Sequence, residues 1–401
     1  MVSVCFYFQV HQPHRLRRYS VFDIGHHSHY FDEEKNRQIM DKVAGKCYIP
    51  TNNTILELIN RTNGKFKVAY SLSGTFIDQC EKFAPHVIDS FKKLADTGCV
   101  EFLDETYYHS LAFLYSKEEF REQVELHSKK MRQLFNYRPK VFRNTELIYN
   151  NELANYAEGM GYKGILAEGA DHILDWRSPN FVYTPKGADS IKLLLKNYKL
   201  SDDIAFRFGE KSWKEFPLTA PKFAQWANAI NGNGNVLNLF MDYETFGEHQ
   251  WEDKGIFEFL RHLPEEILKH PDNEFLTPSE AIEKYDSVGE LDYHNFVSWA
   301  DVERDLSAWL GNKMQQEALK EIYQLETNVK LTRNPQLIDE WRKMQTSDHF
   351  YYMCTKWFND GDVHKYFNPY DSPYEAFITF MNILNDFRIK SNKLSEVQPL
   401  Y

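Results

Sequence analysis

From the N-terminus to about residue 285, short β-rich runs alternate with amphipathic helical stretches, and this order constrains the fold more than any other feature. Strands are expected over 2–10, 67–72, 100–103, 140–143, 164–167, 191–196 and 236–241. Between them, 85–97 reads as a helix closed by Gly98, the residue type that tolerates the left-handed end of a helix. Ser116-Lys117-Glu118-Glu119 is a capping box opening a second helix that runs to about Phe135 and stops before Pro139. Strand-then-helix order implies parallel neighbours, because parallel strands need a crossover between them. About seven such units suggest a closed barrel more than an open sheet.

After Tyr285 the pattern changes. Segments 303–328, 334–358 and 372–392 carry helical periodicity with no comparable strands. The expected fold class is therefore α/β, with a barrel domain over 1–287 and a helical domain over 288–401. No flexible linker separates them, so the helices are expected to pack on the barrel and contribute to its cleft. A length of 401 residues suits one large core and a smaller one.

Composition narrows the partners. A net charge of −11 argues against a nucleic-acid binder, which needs a basic face to displace counterions, and fits a neutral substrate. No apolar run reaches the length of a membrane span. The opening VSVCFYFQV lacks a basic leader and is too short for a signal segment, so it reads as the first strand. Five scattered cysteines without a CxxC read as reduced thiols, and a cytoplasmic location is expected. Aromatics reach 15%, which suits either a surface that grips sugar rings or an aromatic-rich core.

In a parallel barrel the strand C-termini face the site. After the first strand come His11-Gln12-Pro13-His14; after the third, Asp104-Glu105-Thr106-Tyr107-Tyr108-His109; after the fourth, Asn144-Thr145-Glu146; after the last, Asp242-Tyr243-Glu244. Two carboxylates on different strand ends are what glycosidic cleavage requires, one attacking the anomeric carbon and one protonating the leaving oxygen. Ion pairs with neighbours such as Arg143 are the alternative role for any one of these acids.

Five segments in order carry a resemblance to the α-amylase group of glycoside hydrolase family 57. They are His11-Gln12-Pro13; 98–103 running into Glu105-Thr106-Tyr107-Tyr108-His109; 142–147, Phe-Arg-Asn-Thr-Glu-Leu; 241–249, from Met241 through Asp242 and Glu244 to His249; and Ser298-Trp299 through Asp301, Glu303-Arg304-Asp305 and Trp309-Leu310-Gly311. The resemblance implies an incomplete (β/α)7 barrel followed by helices, acting on α-glucans by a retaining mechanism. It implies that Glu146 is the nucleophile and Asp242 the general acid/base. Other branches of the family carry a second histidine where this chain has Gln9.

Supporting roles follow from the same motifs. His11 is expected to hold a sugar hydroxyl, or else to cap its strand. Glu101 is expected to orient a hydroxyl or His11, with a structural ion pair as the alternative. Glu244, two residues past Asp242 on an extended segment, shares its side and tunes its proton affinity by like-charge repulsion, or turns into a salt bridge. Trp299 and Trp309 are candidate stacking platforms and Asp305 a hydroxyl ligand from the helical domain. For Trp176 and Trp251 burial is the expectation.

Neither a metal nor a cofactor is expected. His26, His27 and His29 cluster after the first strand and raise a metal-dependent hydrolase as a rival, but HExxH and CxxC are missing. Gly232-Asn233-Gly234 precedes a strand and not a helix, so it reads as a loop and not a phosphate cradle. A non-catalytic glucan-binding protein is the remaining rival; the presence of both Glu146 and Asp242 argues against it. Water as acceptor would give an amylase, a sugar hydroxyl a 4-α-glucanotransferase.

Overall fold

A computed structural model describes residues 2–356 and 368–396. Its strands are β1 (Ser3–Val10), β2 (Val68–Leu72), β3 (Val100–Phe102), β4 (Val141–Phe142), β5 (Gly164–Glu168), β6 (Thr184–Pro185), β7 (Lys192–Lys196), β8 (Val236–Asp242), β9 (Glu274–Phe275) and β10 (Glu290–Leu291). β8, β1, β2 and β3 pair in parallel, as do β4, β5 and β7. Two seams join these groups. Asp104 bridges Phe142 in parallel between β3 and β4, and the Asn197 amide donates to the Asn238 carbonyl at 2.9 Å between β7 and β8. Seven strands thus follow one another in a ring, with β9 paired to the foot of β1.

Alternation along the strands decides what the ring encloses. On β1, Val4, Phe6 and Phe8 join the core beneath the outer helices, while Cys5 and Tyr7 pack inside the ring. On β8, Leu237, Leu239 and Met241 face outward, and Val236 and Phe240 inward. Continuing each inner column upward gives Gln9 on β1 and His11 after it, Ser71 on β2 and Ser73 after it, Glu105 after β3, Arg143 after β4, Glu168 on β5, Lys196 on β7 and Asp242 on β8. The interior therefore carries an apolar layer that includes Tyr7, Ala69, Leu103 and Phe240, and it is polar at every strand C-terminus.

Helix Lys117–Phe135 starts at Ser116, whose hydroxyl accepts from the Glu119 amide at 3.1 Å, and ends on left-handed Asn136. Helix Pro85–Ala95 precedes Gly98, at φ +70°. Beyond β10 lie helices Ser307–Leu310, Lys313–Gln324, Glu326–Leu331, Pro335–Lys343, Ser347–Tyr351 and Pro373–Glu396. The helical stretch expected over 334–358 is interrupted at 344–346, and its residues 357–358 lie outside the described residues. Helices of this region share a second core with β4, β5 and helix Lys117–Phe135, through Trp341, Phe350, Phe380, Phe120 and Ile165. Buried Glu119 fixes that contact, accepting from Arg342 Nε and Nη2 at 2.7 and 3.0 Å and lying 3.0 Å from Lys330 Nζ. Among the described residues, no helix is long and apolar enough to cross a membrane.

Candidate active site

Glu146 stands on a strained turn. After β4 the chain enters a single 3-10 turn, Thr145–Leu147, in which Glu146 and Leu147 take φ of 59° and 51°, left-handed values unfavourable to residues with a side chain. The Trp299 amide donates to the Glu146 carbonyl at 3.2 Å and helps hold this turn. The carboxylate accepts from Trp299 Nε1 at 2.8 Å and from Ser347 Oγ at 2.9 Å, and His109 Nε2 lies 3.5 Å away. Burial pushes the Glu146 carboxyl up, but bonding and charge from His109, with Arg143 behind it, outweigh burial and hold it below the ordinary range.

Asp242 closes β8, level with Gln9 on β1. Its carboxyl is pushed up to about 6, first by burial and then by the negative charge of Glu146. The two acids therefore share one electrostatic site and are displaced in opposite directions.

Around them the strand ends form a continuous polar chain. Tyr7 Oη donates to Gln9 Oε1 at 2.8 Å, Gln9 Nε2 donates to Glu105 Oε1 at 2.8 Å, and Glu105 Oε2 lies 2.7 Å from His109 Nδ1. His11 stacks on His109 at 4.0 Å, with Nδ1 2.7 Å from Ser73 Oγ and Nε2 2.9 Å from Asp348 Oδ2. The Arg143 guanidinium is fully buried, lies 4.6 Å over the Trp299 ring, and makes no hydrogen bond to the described residues. On the far side, Lys196 and Arg304 flank Glu168 at 3.7 and 3.5 Å.

Of the residues singled out from sequence, Glu146, Asp242, His11 and Trp299 come together. Glu101 does not. Register pairs it with Ala69, level with Tyr7 and one inner layer below Gln9 and Asp242. There its carboxylate accepts from the Ser279 amide at 2.8 Å and Ser279 Oγ at 2.5 Å, anchoring the start of helix Pro278–Lys284. Glu244 is not on an extended segment, because the chain turns into the 3-10 helix Tyr243–Thr245. Its carboxylate accepts from Tyr48 Oη at 2.5 Å, and burial followed by the charge of Asp242 raises it to about 8. The charge raising Asp242 comes from Glu146.

Trp309 is 1% exposed, packed in the second core against Tyr351, and offers no stacking face. Asp305 is exposed and accepts from the Ser307 amide at 2.8 Å, at the start of helix Ser307–Leu310. The burial expected of Trp176 and Trp251 is corrected: they are 85% and 53% exposed, on loops following β5 and β8. Gly247, in the same loop as Trp251, has φ +105°, and a Cβ there would meet the Lys46 carbonyl oxygen at 2.0 Å, so only glycine fits. Among the described residues, no three His, Cys, Asp or Glu side chains converge as metal ligands, His26, His27 and His29 included. Gly232-Asn233-Gly234 forms a turn before β8.

Sequence reasoning passed over His109 and Glu105, although both stood among the strand-end residues. Ser347 and Asp348 carried no signal, lying in a helical region, Ser347 201 residues from Glu146.

The profile of glycosyl hydrolase family 57 matches residues 5–294. A protein of Methanocaldococcus jannaschii named "Putative alpha-amylase" is 46% identical over 400 residues, spanning 96% of this chain and 84% of the relative. Among solved structures, the fold is similar to a family 57 branching enzyme from Thermococcus kodakaraensis, with a TM-score of 0.71 and 15% identity over 98% of this chain and 90% of that one. It is similar to a 4-alpha-glucanotransferase from Thermococcus litoralis, with a TM-score of 0.65 and 18% identity over 87% of this chain and 56% of that longer one. The family match and the 46%-identical relative make this an enzyme that acts on glycosidic bonds, a hydrolase or a transferase. The chain belongs to glycosyl hydrolase family 57.

Proposed function

We propose that this enzyme cleaves α-1,4-glucans such as starch, glycogen or maltodextrin by double displacement, as an α-amylase. The carrying observation is the pair of strand-end carboxyls whose environments drive them apart, Glu146 below the ordinary range and Asp242 to about 6. Between those limits one is ionised and the other protonated, which is the division of labour that retaining cleavage needs. A Glu146 oxygen attacks C1 as the glycosidic C–O bond breaks, and the Asp242 proton passes to the departing oxygen. Asp242, now ionised, takes a proton from water; the resulting attack on C1 releases Glu146 and restores Asp242. Trp299 donates to Glu146, and His11 stacks on His109 beside it, so both line the side of the site from which a sugar would meet the proposed nucleophile. The 46%-identical relative named for amylase activity favours water as the acceptor.

Incubation with maltoheptaose and separation of products by length tests this reading. Shorter products alone are expected; longer ones would replace hydrolysis with 4-α-glucan transfer, and no change would refute the substrate class. Glu146→Gln is expected to abolish turnover while retaining glucan binding.

A further inference from the structure

We infer that His109 is a positioning residue held as an imidazolium through neutral pH, a fixed counter-ion that keeps Glu146 ionised while Asp242 beside it retains a proton. The inference rests on the proposed roles of those two acids, but its geometry stands by itself.

Both ring nitrogens of His109 face carboxylates, Nδ1 at 2.7 Å from Glu105 Oε2 and Nε2 at 3.5 Å from Glu146 Oε1. A neutral imidazole has one N–H and one lone pair, so it would turn a lone pair on one of these anions. Only the cation turns an N–H toward both, a hydrogen bond to Glu105 and a charge contact to Glu146. Glu105 is itself fully buried, and its other oxygen is occupied by Gln9, whose carbonyl is fixed by Tyr7. It therefore cannot swing away, and its negative charge is committed to His109. The main chain is committed too, with His109 at φ 50° and its carbonyl accepting from the Ser347 amide at 2.9 Å.

The groups around the ring agree. His11, from the end of β1, stacks on it; with Ser73 donating to Nδ1 and Asp348 accepting from Nε2–H, His11 is satisfied as a neutral ring. A neutral ring over an imidazolium avoids two stacked cations. From the other elements, Glu146 and Arg143 follow β4, Asp242 ends β8, and Asp348 lies on helix Ser347–Tyr351. The balance lifts His109 to about 9: burial opposes the charge, but donation to Glu105 and the pull of the Glu146 carboxylate overcome it. Glu105 falls correspondingly to about 2.

The direct test is 15N NMR of histidine-labelled full-length protein, with the His109 resonances assigned by their loss in His109→Gln. Both nitrogens are expected to report N–H at pH 7 and to titrate only above pH 8; Glu105→Gln should bring that midpoint down by about one pH unit or more. In His109→Gln, the acidic limb of kcat/KM on maltoheptaose should climb by about one pH unit or more, since an opposite charge near Glu146 has gone. A single N–H on wild-type His109 at pH 7 would overturn the inference, as would an acidic limb unmoved in a folded His109→Gln. If that variant does not fold, Glu105→Gln supplies the assignment and the wild-type titration decides. Failure of the wild-type protein to act on any glucan would refute the proposed function, and the imidazole titration would still decide this inference.

Discussion

Replacing Trp299 by Phe isolates one contact to the proposed nucleophile. The indole Nε1–H donates to Glu146 Oε2 at 2.8 Å, whereas the amide of residue 299, which donates to the Glu146 carbonyl, survives the change. Phenylalanine keeps an aromatic face for Arg143 and removes only the donor and part of the ring. A hydrogen bond to a charged group contributes about 1.5–3 kcal/mol. The Glu146 side chain is 18% exposed, so water replaces part of the loss and the lower end, about 1.5 kcal/mol, applies. That energy stabilises the ionised form, and losing it raises the Glu146 pKa by about one pH unit. The assay is kcat/KM on maltoheptaose from pH 3 to 9. Its acidic limb should move up by about one unit, making the variant about tenfold slower below that limb. The basic limb, set by Asp242 at about 6, should stay, because Glu146 is ionised throughout that range and its charge is unchanged there. A folded variant with both limbs in place, or with only the basic limb displaced, would refute the reasoning.

Two further outcomes follow from the packing and the titrating groups. Arg342→Met strips buried Glu119 of its bidentate partner but leaves Lys330 at 3.0 Å, so a loss of about 3 kcal/mol is expected in urea unfolding; a loss below about 1 kcal/mol would show that Lys330 alone suffices. His109, with its folded pKa raised to about 9, contributes stability that is fully present below its unfolded value near 6.5 and is lost as pH rises through 9. Urea midpoints should therefore fall between pH 6.5 and 9 more steeply in wild type than in His109→Gln, and equal slopes would contradict this.

The barrel was legible because its signal is local. Short β-rich runs in β-then-α order need only neighbouring residues, and β1, β5, β7 and β8 fall within a residue or two of their expected spans. The strand ends then gathered the acids, and the family motifs singled out Glu146 and Asp242 among them. What the sequence hid depends on depth and on distant contacts. Glu101 and Glu105 are both acids near one strand end, yet one inner layer separates an anchor for a helix from a partner of His109. Glu244 was misplaced because a strand was extended past the point where the chain turns. Trp309 and Trp176 exchanged expectations, since an aromatic residue carries no mark of whether a second core will cover it. Ser347 reaches Glu146 only because 344–346 interrupts a helical stretch, and periodicity does not reveal what lies opposite a break.

The central claim is that Glu146 attacks the anomeric carbon and is later displaced by water. Each displacement inverts that carbon, so two of them restore it. Proton NMR of maltoheptaose digestion, read before the free sugars mutarotate, tests this most directly. The first new reducing ends should be α-anomers. Initial release of β-anomers would mean a single displacement by water and would contradict the role given to Glu146.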